Sequence, residues 1–501
     1  MIPLVGSAPT IPRHRTAMSR PVLSRPLRLA LDAGLIEKSS CVFDYGCGRG
    51  DDLRGLEASG IRCFGWDPVF CPTGQREAAD VVNLGYVVNV IENSHERVQT
   101  LHEAWHYTHK VLIVTARLSV DTRGAHHQPF NDGYLTQRGT FQKFFTQHEL
   151  RDWIDTTLQV CSVAAAPGIF FVFRDESLRQ SYLASRYRRQ VALPRTYHRT
   201  NLFERHKELL QSLISFVTSR GRLPDAAELE EAVTLREVFG SLRRAFEVVQ
   251  SVTGKEQWAA IQRERAQDLL VYLALERFSG RPRFSVLPRA LQLDVRASFG
   301  TYTRACEAAD RLLFAVGDMA AISAACQEAA CGKLLSEALY VHTIGVPTLP
   351  PLLRVYEGCA RGYIGVVEGA NVVKLHRRVP QVSYLAYPHF DRDPHPALTG
   401  SLVVHLRTLQ VRYIDYRTTD SPPILHRKET FVPVDYPLHA KFAPLTRQEE
   451  RWGLYEHSAA IGTRQAWERL LAEKGVRLTG HRITRVARRL STKESVQVVE
   501  P

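Results

Sequence analysis

The densest chemistry in this chain lies in Phe43-Asp44-Tyr45-Gly46-Cys47-Gly48-Arg49-Gly50-Asp51-Asp52. An acid closes a short apolar run, glycines follow at alternate positions, and two more acids open what reads as a helix. Glycine at 46 and 48 allows unusual backbone angles and lets a ligand lie directly on the main chain. The pattern predicts a nucleotide-type crevice at the carboxyl end of a first strand. It is not the dinucleotide spacing G-x-G-x-x-G, because the third glycine comes one residue early. Asp51 and Asp52 would also repel the pyrophosphate that a dinucleotide loop seats on its helix N-terminus. No G-x-x-x-x-G-K-[ST] string occurs. Acids around a glycine loop suit a ligand with an amine and a sulfonium and no phosphate, which describes S-adenosylmethionine.

A second acid supports this reading. Asp67 ends the run Ile61–Trp66, 23 residues after Asp44, and is followed by Pro68. An acid at that place accepts hydrogen bonds from ribose hydroxyls. The form D-x-G-x-G-x-G is carried by class I methyltransferases. The expected cofactor contacts are therefore Asp44, Tyr45, Gly46, Cys47, Gly48, Gly50, Asp67, Pro68, Asn83 and Leu84, and no metal is expected. Asn83-Leu84-Gly85-Tyr86 stands where amino-methyltransferases of bases carry [DNS]-P-P-[YFW]. There the polar side chain accepts from the target amine and the aromatic stacks on a flipped base. Asn83 and Tyr86 are the candidate catalytic residues, although Leu84-Gly85 replace Pro-Pro. The plainer reading makes Leu84–Ile91 the ordinary turn and helix beneath the cofactor. Glu92 and His95 are candidate bases or, alternatively, solvated capping residues. Val120–Phe144, with His126, His127, Tyr134, Arg138 and Lys143, reads as a substrate lid or a surface insertion.

The elements that must hold these residues alternate. Strands are expected at Cys41–Asp44, Ile61–Trp66, Asp80–Asn83 and Lys110–Ala116, with helices at Asp51–Ser59, Ser94–His109 and Glu149–Leu158. This is the pattern of a doubly wound, mostly parallel sheet. Gln159–Ala164 and Ile169–Phe173 flank Pro167-Gly168 and predict an antiparallel hairpin at one edge. Only twelve residues separate Asp67 from Asp80, so one wing of the sheet should be short. Beyond 175 the chain is Arg-rich, with Tyr182, Tyr187 and Tyr197 interleaved, and then helical, for example at Leu202–Thr218, Asp225–Val252 and Glu256–Phe278. From 332 it reads as mixed, with strands at Asn371–Leu375, Val382–Ala386, Leu402–Leu406 and Val411–Tyr416. The last forty residues read as helical and basic. The fold class is α/β: a Rossmann-like class I methyltransferase domain (1–175), a helical basic region (176–331) and an α+β region (332–501).

The 501 residues, at about 150 per domain, agree with roughly three domains. An ordinary mix of 44% hydrophobic and 23% charged residues excludes wholesale disorder, collagen and coiled coil. The apolar runs are too short for a transmembrane helix. The net charge of +13 favours polyanionic partners, nucleic acid first. Nine cysteines with no C-x-x-C pair point to reduced thiols in a cytoplasm. His389-x-Asp391-x-Asp393-x-His395 would line one face of a strand and hold a metal, but the surrounding prolines argue against a strand. His426–Glu429, the group Lys374, His376, Arg377 and Arg378, and the group Arg482, Arg485, Arg488 and Arg489 on a terminal helix are candidate phosphate clamps or solvated faces.

Long strings also resemble a known family. They include Pro12–Ala17, Val42–Asp52, Gly65–Pro68, Asp80–Glu92, Arg138–Phe144, Gly332-Lys333, Ala338–His342, Lys374–Arg377, Phe390–Leu398 and Pro422–Thr430. On these the chain is similar to the methyltransferases associated with bacterial DNA phosphorothioation, over most of its length. The resemblance implies S-adenosylmethionine held at Asp44, Gly46, Gly48, Gly50 and Asp67, DNA as partner, and contact with proteins of the sulfur-modification system. The reading is a DNA-directed methyltransferase of a phosphorothioation defence system. The alternatives are a non-catalytic DNA-binding or regulatory subunit, and an RNA or small-molecule methyltransferase.

Overall fold

The computed structural model describes residues 11–119, 128–189, 193, 201–456 and 461–485. The chain divides into two compact units, residues 1–325 with 350–368, and residues 326–349 with 369–501. In the first unit α1 (Arg25–Asp32) leads into β1 (Cys41–Tyr45), α2 (Asp51–Ala58), β2 (Arg62–Trp66), β3 (Ala79–Gly85), α3 (Ser94–His106) and β4 (Thr108–Thr115). A small three-stranded sheet follows, β5 (Gln128–Phe130), β6 (Gly133–Leu135) and β7 (Phe141–Gln142). Then come α4 (Gln147–Leu158), β8 (Val163–Ala166) and β9 (Ile169–Phe173). The main sheet has the order β2-β1-β3-β4-β9-β8. Its first three pairings are parallel, and β9 is antiparallel to both β4 and β8. The expected edge hairpin is therefore present. Every residue of β1 is buried, as a central strand covered on both faces requires. No helix lies between β2 and β3, so the wing beyond β2 is absent.

The helical region continues the same unit as far as Ala325, within its last helix. It comprises α5 (Glu176–Arg186), α6 (Asn201–Arg205), α7 (Lys207–Arg220), α8 (Ala232–Phe239), α9 (Leu242–Thr253), α10 (Lys255–Leu275), α11 (Arg289–Phe299), α12 (Tyr302–Ala315) and α13 (Met319–Glu328). The single helix expected over Asp225–Val252 is broken into a short turn, α8 and α9. Gly240 takes a left-handed C-cap at φ 81°, and the Ser241 side chain caps α9 by accepting from the Arg244 N–H. The boundary expected at 175 does not separate a compact unit. Phe171 and Phe173 of β9, Leu183 of α5 and Leu269–Leu275 of α10 share one buried core. Helix α14 (Pro351–Ile364), expected in the C-terminal region, also joins this core through Val355, and its Gly358 lies against Leu275.

The second unit is an antiparallel meander of six strands in chain order: β10 (Lys333–Leu334), β11 (Ala338–His342), β12 (Val372–His376), β13 (Gln381–Ala386), β14 (Gly400–His405) and β15 (Val411–Asp415). It continues with α15 (His439–Arg451) and α16 (Arg464–Glu473). The described part of the expected terminal helix then becomes a hairpin of β16 (Val476–Thr479) and β17 (Arg482–Arg485). Arg482 and Arg485 thus lie on a strand, while Arg488 and Arg489 lie outside the described residues. Among the described residues no helix is long and apolar enough to cross a membrane.

Candidate active site

The parallel strands bring their carboxyl ends to one edge, and the loops there enclose a cleft of about 440 Å³. That is the size of an ordinary small-molecule site. The glycine loop forms its floor. Gly46, Gly48 and Gly50 all have left-handed backbone, at φ 84°, 51° and 72°. A Cβ on Gly46 would come within 2.5 Å of Val87 Cγ2. The alternating glycines are therefore required by the backbone and, at 46, by close approach of the turn after β3.

Register explains which side chains meet. Asp44 on β1 lies opposite Asn83 on β3. The Asn83 Nδ2–H donates to Asp44 Oδ1 at 2.9 Å, and both residues are buried. Burial, with the nearby Asp52 next in weight, pushes the Asp44 carboxyl up to about 7. Asn83 Oδ1 is buried and has no hydrogen-bond partner among the described residues. Gly85 makes room for this amide, since a Cβ there would lie 3.2 Å from the same oxygen. Tyr86 follows at φ 61°, a left-handed conformation that costs a non-glycine residue about 1–2 kcal/mol. It lines the cleft, with the Arg20 guanidinium 5.7 Å from its ring centre.

Asp67 organises the opposite wall. One carboxylate oxygen accepts from the Gly48 N–H at 3.1 Å, and the other accepts from Val69 and Phe70 N–H groups at 2.9 Å each. It so ties the glycine loop to the turn after β2. About one of a carboxylate's four acceptor positions stays available for a ligand. The wall is aromatic: Tyr45 packs edge-on against Trp66 at 5.2 Å, and Arg76 and Arg49 sit over Trp66 and Phe70. The Tyr45 hydroxyl donates to Glu103 Oε2 at 2.7 Å. The Cys47 thiol is pushed up to about 12, chiefly by burial and then by Asp44, so it stays neutral.

Of the residues anticipated from sequence, Asp44, Tyr45, Gly46, Cys47, Gly48, Asp67, Pro68, Asn83 and Tyr86 line the cleft. Leu84 does not. It is fully buried in the core because alternation along β3 turns it away from the Asn83 side. Gly50 shapes the start of α2 and does not line the cleft. Glu92 is not placed as a base: the Arg13 guanidinium binds it at 2.8 Å and holds its carboxyl below the usual range. His95 is exposed in the first turn of α3, where its N–H donates to the capping Asn93. Within the expected lid, residues 128–144 form the small sheet, anchored by Arg97 to Asp132 at 2.8 and 2.9 Å, and none lines the cleft. His126 and His127 lie outside the described residues.

The N-terminal segment is what sequence reasoning missed. Residues 11–24 lie along the cleft, to which Arg13, His14, Thr16, Ala17, Met18 and Arg20 contribute. Arg13 also binds Glu96 at 2.7 Å. The acids at the start of α2 hold this strap: the Arg20 N–H donates to Asp51 and the Ser24 N–H to Asp52, each at 2.6 Å. They do not face a ligand's charge alone. The strap has no periodicity to betray it, and its only sequence signal is the string Pro12–Ala17.

Several candidate clamps of the second unit take partners within it. Lys428 is buried and donates to the Phe390 and Asp393 carbonyls at 2.6 and 2.5 Å. His426 is buried with its Nε2 2.6 Å from the Ile461 carbonyl, and burial lowers it to about 3. Arg427 pairs with Glu450, Arg378 with Glu337, and Arg377 donates to the Leu335 carbonyl. Residues 389–395 form no strand. Asp391 accepts from the Tyr436 hydroxyl at 2.6 Å, and His395 Nε2 lies 2.7 Å from Glu449 Oε1. Among the described residues no group of three His, Cys, Asp or Glu side chains is placed to hold a metal ion.

Residues 14–157 match the family described as Methyltransferase domain. Similar solved structures include the 1,6-didemethyltoxoflavin-N1-methyltransferase of Burkholderia thailandensis, solved with S-adenosylhomocysteine. It is 13% identical, the match covers 30% of this chain and 75% of that one, and the TM-score is 0.23. Another is the sugar N-methyltransferase KedS8 from Streptoalloteichus sp ATCC 53650, with 12% identity, coverage of 35% and 100%, and a TM-score of 0.23. A third is SAM-bound CalS10, an amino pentose methyltransferase from Micromonospora echinaspora, with 15% identity, coverage of 32% and 94%, and a TM-score of 0.22. No curated protein matches the chain in sequence.

Proposed function

With a class I methyltransferase domain over residues 14–157 as the premise, we propose that this protein is an S-adenosylmethionine-dependent methyltransferase that methylates an amine on DNA, within a phosphorothioation-associated system. The single observation that carries the amine is Asn83 Oδ1, a buried acceptor with no partner among the described residues, at the floor of the cleft. A buried carbonyl left unsatisfied costs about 1–3 kcal/mol, which an incoming N–H would recover. Its other end is fixed by Asp44, so the oxygen is oriented before substrate arrives.

The donor fits the residues present. The glycine loop leaves a side-chain-free floor, Asp67 offers an acceptor for hydroxyls, and Asp44 offers a buried carboxylate for an ammonium group. Acids rather than phosphate-binding cations crowd the start of α2. When bound, S-adenosylmethionine supplies an electrophilic methyl group on sulfonium. The chain's own work is to align the acceptor and exclude water. Asn83 holds the acceptor nitrogen, Tyr86 presents a ring edge or face to the acceptor's base, and the strap covers the loop. DNA is supported by the net charge of +13 and by the sequence resemblance.

The test is transfer of tritiated methyl from S-adenosylmethionine to plasmid DNA with and without phosphorothioate. Label in an amino-methylated base after nuclease digestion is the expected result. Donor binding without transfer to any DNA would leave the regulatory-subunit reading, and transfer to RNA or small amines alone would replace DNA as the substrate.

A further inference from the structure

A second polar site lies in the helical part of the first unit, apart from the cleft. Asp268 on α10 is bound by Arg189 Nε at 2.6 Å, by Arg265 at 2.9 Å and by Arg354 at 2.8 Å. Asp294 on α11 is bound by Arg220 at 2.8 Å and Arg222 Nε at 2.7 Å. Arg222 also reaches Glu228 at 2.7 Å. With Arg188, six guanidinium groups face these three carboxylates. Glu264 lies close enough to act on Arg265 as well, and the balance remains positive.

Arg188 is the group left over. Its nearest carboxylate oxygen is that of Asp294, at 3.9 Å, beyond hydrogen-bond range. Its guanidinium makes no hydrogen bond among the described residues, although it is two-thirds shielded from solvent. Burial, then the like charge of Arg220, works against its ionised form. Arg188, Arg220 and Arg265, with Ser219 and Ser298, line a small, partly open pocket of about 20 Å³. Asp268 and Asp294 also line it, but each is already neutralised by two or more arginines.

The donor balance selects the occupant. Guanidinium groups donate and cannot accept. Ser219 already donates to the Phe216 carbonyl at 2.8 Å. The carboxylates that line the pocket are already bound by arginines, whereas Arg188 brings donors without a hydrogen-bond partner among the described residues, which an acceptor-only ligand would match. Planar guanidinium forks match the oxygens of a phosphoryl group. We propose that the pocket between α5, α7, α10 and α11, built on Arg188, Arg220 and Arg265, is an anion site for one phosphoryl group. The group is either a backbone phosphate of a nucleic acid or free inorganic phosphate. This inference does not depend on methyl transfer.

The experiment titrates the full chain with inorganic phosphate at constant ionic strength, by calorimetry and by Tm, with chloride as control. The same is done for Arg188→Gln and Arg188→Lys. Saturable phosphate binding that raises Tm, weakened at least about tenfold in Arg188→Gln and partly restored in Arg188→Lys, is the expected result. Binding of a short DNA duplex is measured in parallel. If phosphate competes with the duplex, and Arg188→Gln weakens the duplex and flattens its salt dependence, the phosphate belongs to the backbone. If duplex binding ignores both, the ligand is free phosphate. No saturable phosphate binding by wild type, or equal binding by Arg188→Gln, overturns the site. Unchanged binding of S-adenosylmethionine and unchanged circular dichroism report that each variant is folded.

Discussion

The two six-stranded sheets handle polar groups in opposite ways. In the first unit parallel strands send β1, β2 and β3 to one edge, and their final residues Asp44, Trp66, Asp67 and Asn83 converge on the cleft. Among the described residues a buried oxygen there has no hydrogen-bond partner, a tyrosine is held in a strained conformation, and a carboxyl is shifted upward. In the second unit the meander sends successive strands in opposite directions, so no edge collects their ends. Some of its buried polar side chains take partners inside the unit: Lys428 fastens the 390–393 loop through main-chain carbonyls, and Glu449 lies against both His395 and Tyr455. The difference shows where chemistry belongs. One unmet acceptor of the first unit, Asn83 Oδ1, borders a cleft, whereas Lys428 and Glu449 of the second unit are drawn into internal contacts.

The largest effect should come from breaking the closed-off centre. Glu449→Ala leaves the Tyr455 hydroxyl without its acceptor and removes the carboxylate 2.7 Å from His395 Nε2, and should destabilise the second unit by about 3 kcal/mol. Urea unfolding followed by Trp467, whose ring packs at 4.8 Å from His395, reads this change. Donor affinity in calorimetry should not move. If it does, the two regions are not functionally separate.

Gly46→Val should weaken S-adenosylmethionine binding by about a hundredfold, about 2.7 kcal/mol, since it combines a left-handed backbone with a clash against Val87. Wild-type affinity in this variant would remove the glycine loop from the site. Asn83→Ala should lower kcat by about 10–100-fold with a smaller change in donor affinity, as expected for a group that holds the acceptor. A loss confined to donor binding would reassign Asn83 to the cofactor.

The pH dependence follows from Asp44. Its carboxyl titrates near 7 in the folded protein and near 3.8 when unperturbed. The folded state therefore holds the extra proton between these values, and stability should fall as pH rises through that window and level off above 7. A cationic donor needs the ionised carboxylate, so its affinity should rise by up to about tenfold per pH unit toward 7 and flatten above it. Calorimetry at pH 6, 7 and 8 checks this, with Asp44→Asn expected to be weaker and flat. The smallest effect is on the strap. Arg13→Ala removes part-buried pairs with Glu92 and Glu96 worth roughly 1 kcal/mol, and should raise the donor KM a few-fold with kcat unchanged.

The glycine loop was legible because its chemistry is local: three left-handed positions in alternation can scarcely be anything but glycine, and an acid at each strand end marks the crevice. Leu84, expected at the cofactor from its place in a motif, faces the core because side chains alternate along β3. The strap was illegible because its anchors are 31 and 28 residues away, at Asp51 and Asp52, and appear only as single polar contacts. The burial of Lys428, one of the expected clamps, was hidden for the same reason. A sequence lists Lys428 as a charge, and only packing makes it a buried fastener.

By itself the sequence determined the order of the main-sheet strands and their helices in the first 175 residues, the missing wing after β2 and the glycine loop after β1. These depend on periodicity, backbone conformation and short spacings, which neighbouring residues set. Tertiary structure alone decided that the helical region shares a core with the sheet, that Arg13 neutralises Glu92, that Asn83 Oδ1 has no hydrogen-bond partner among the described residues, and that Arg188 comes no nearer than 3.9 Å to Asp294. Each depends on which distant partner arrives first at a polar atom, and that is fixed by how the elements pack.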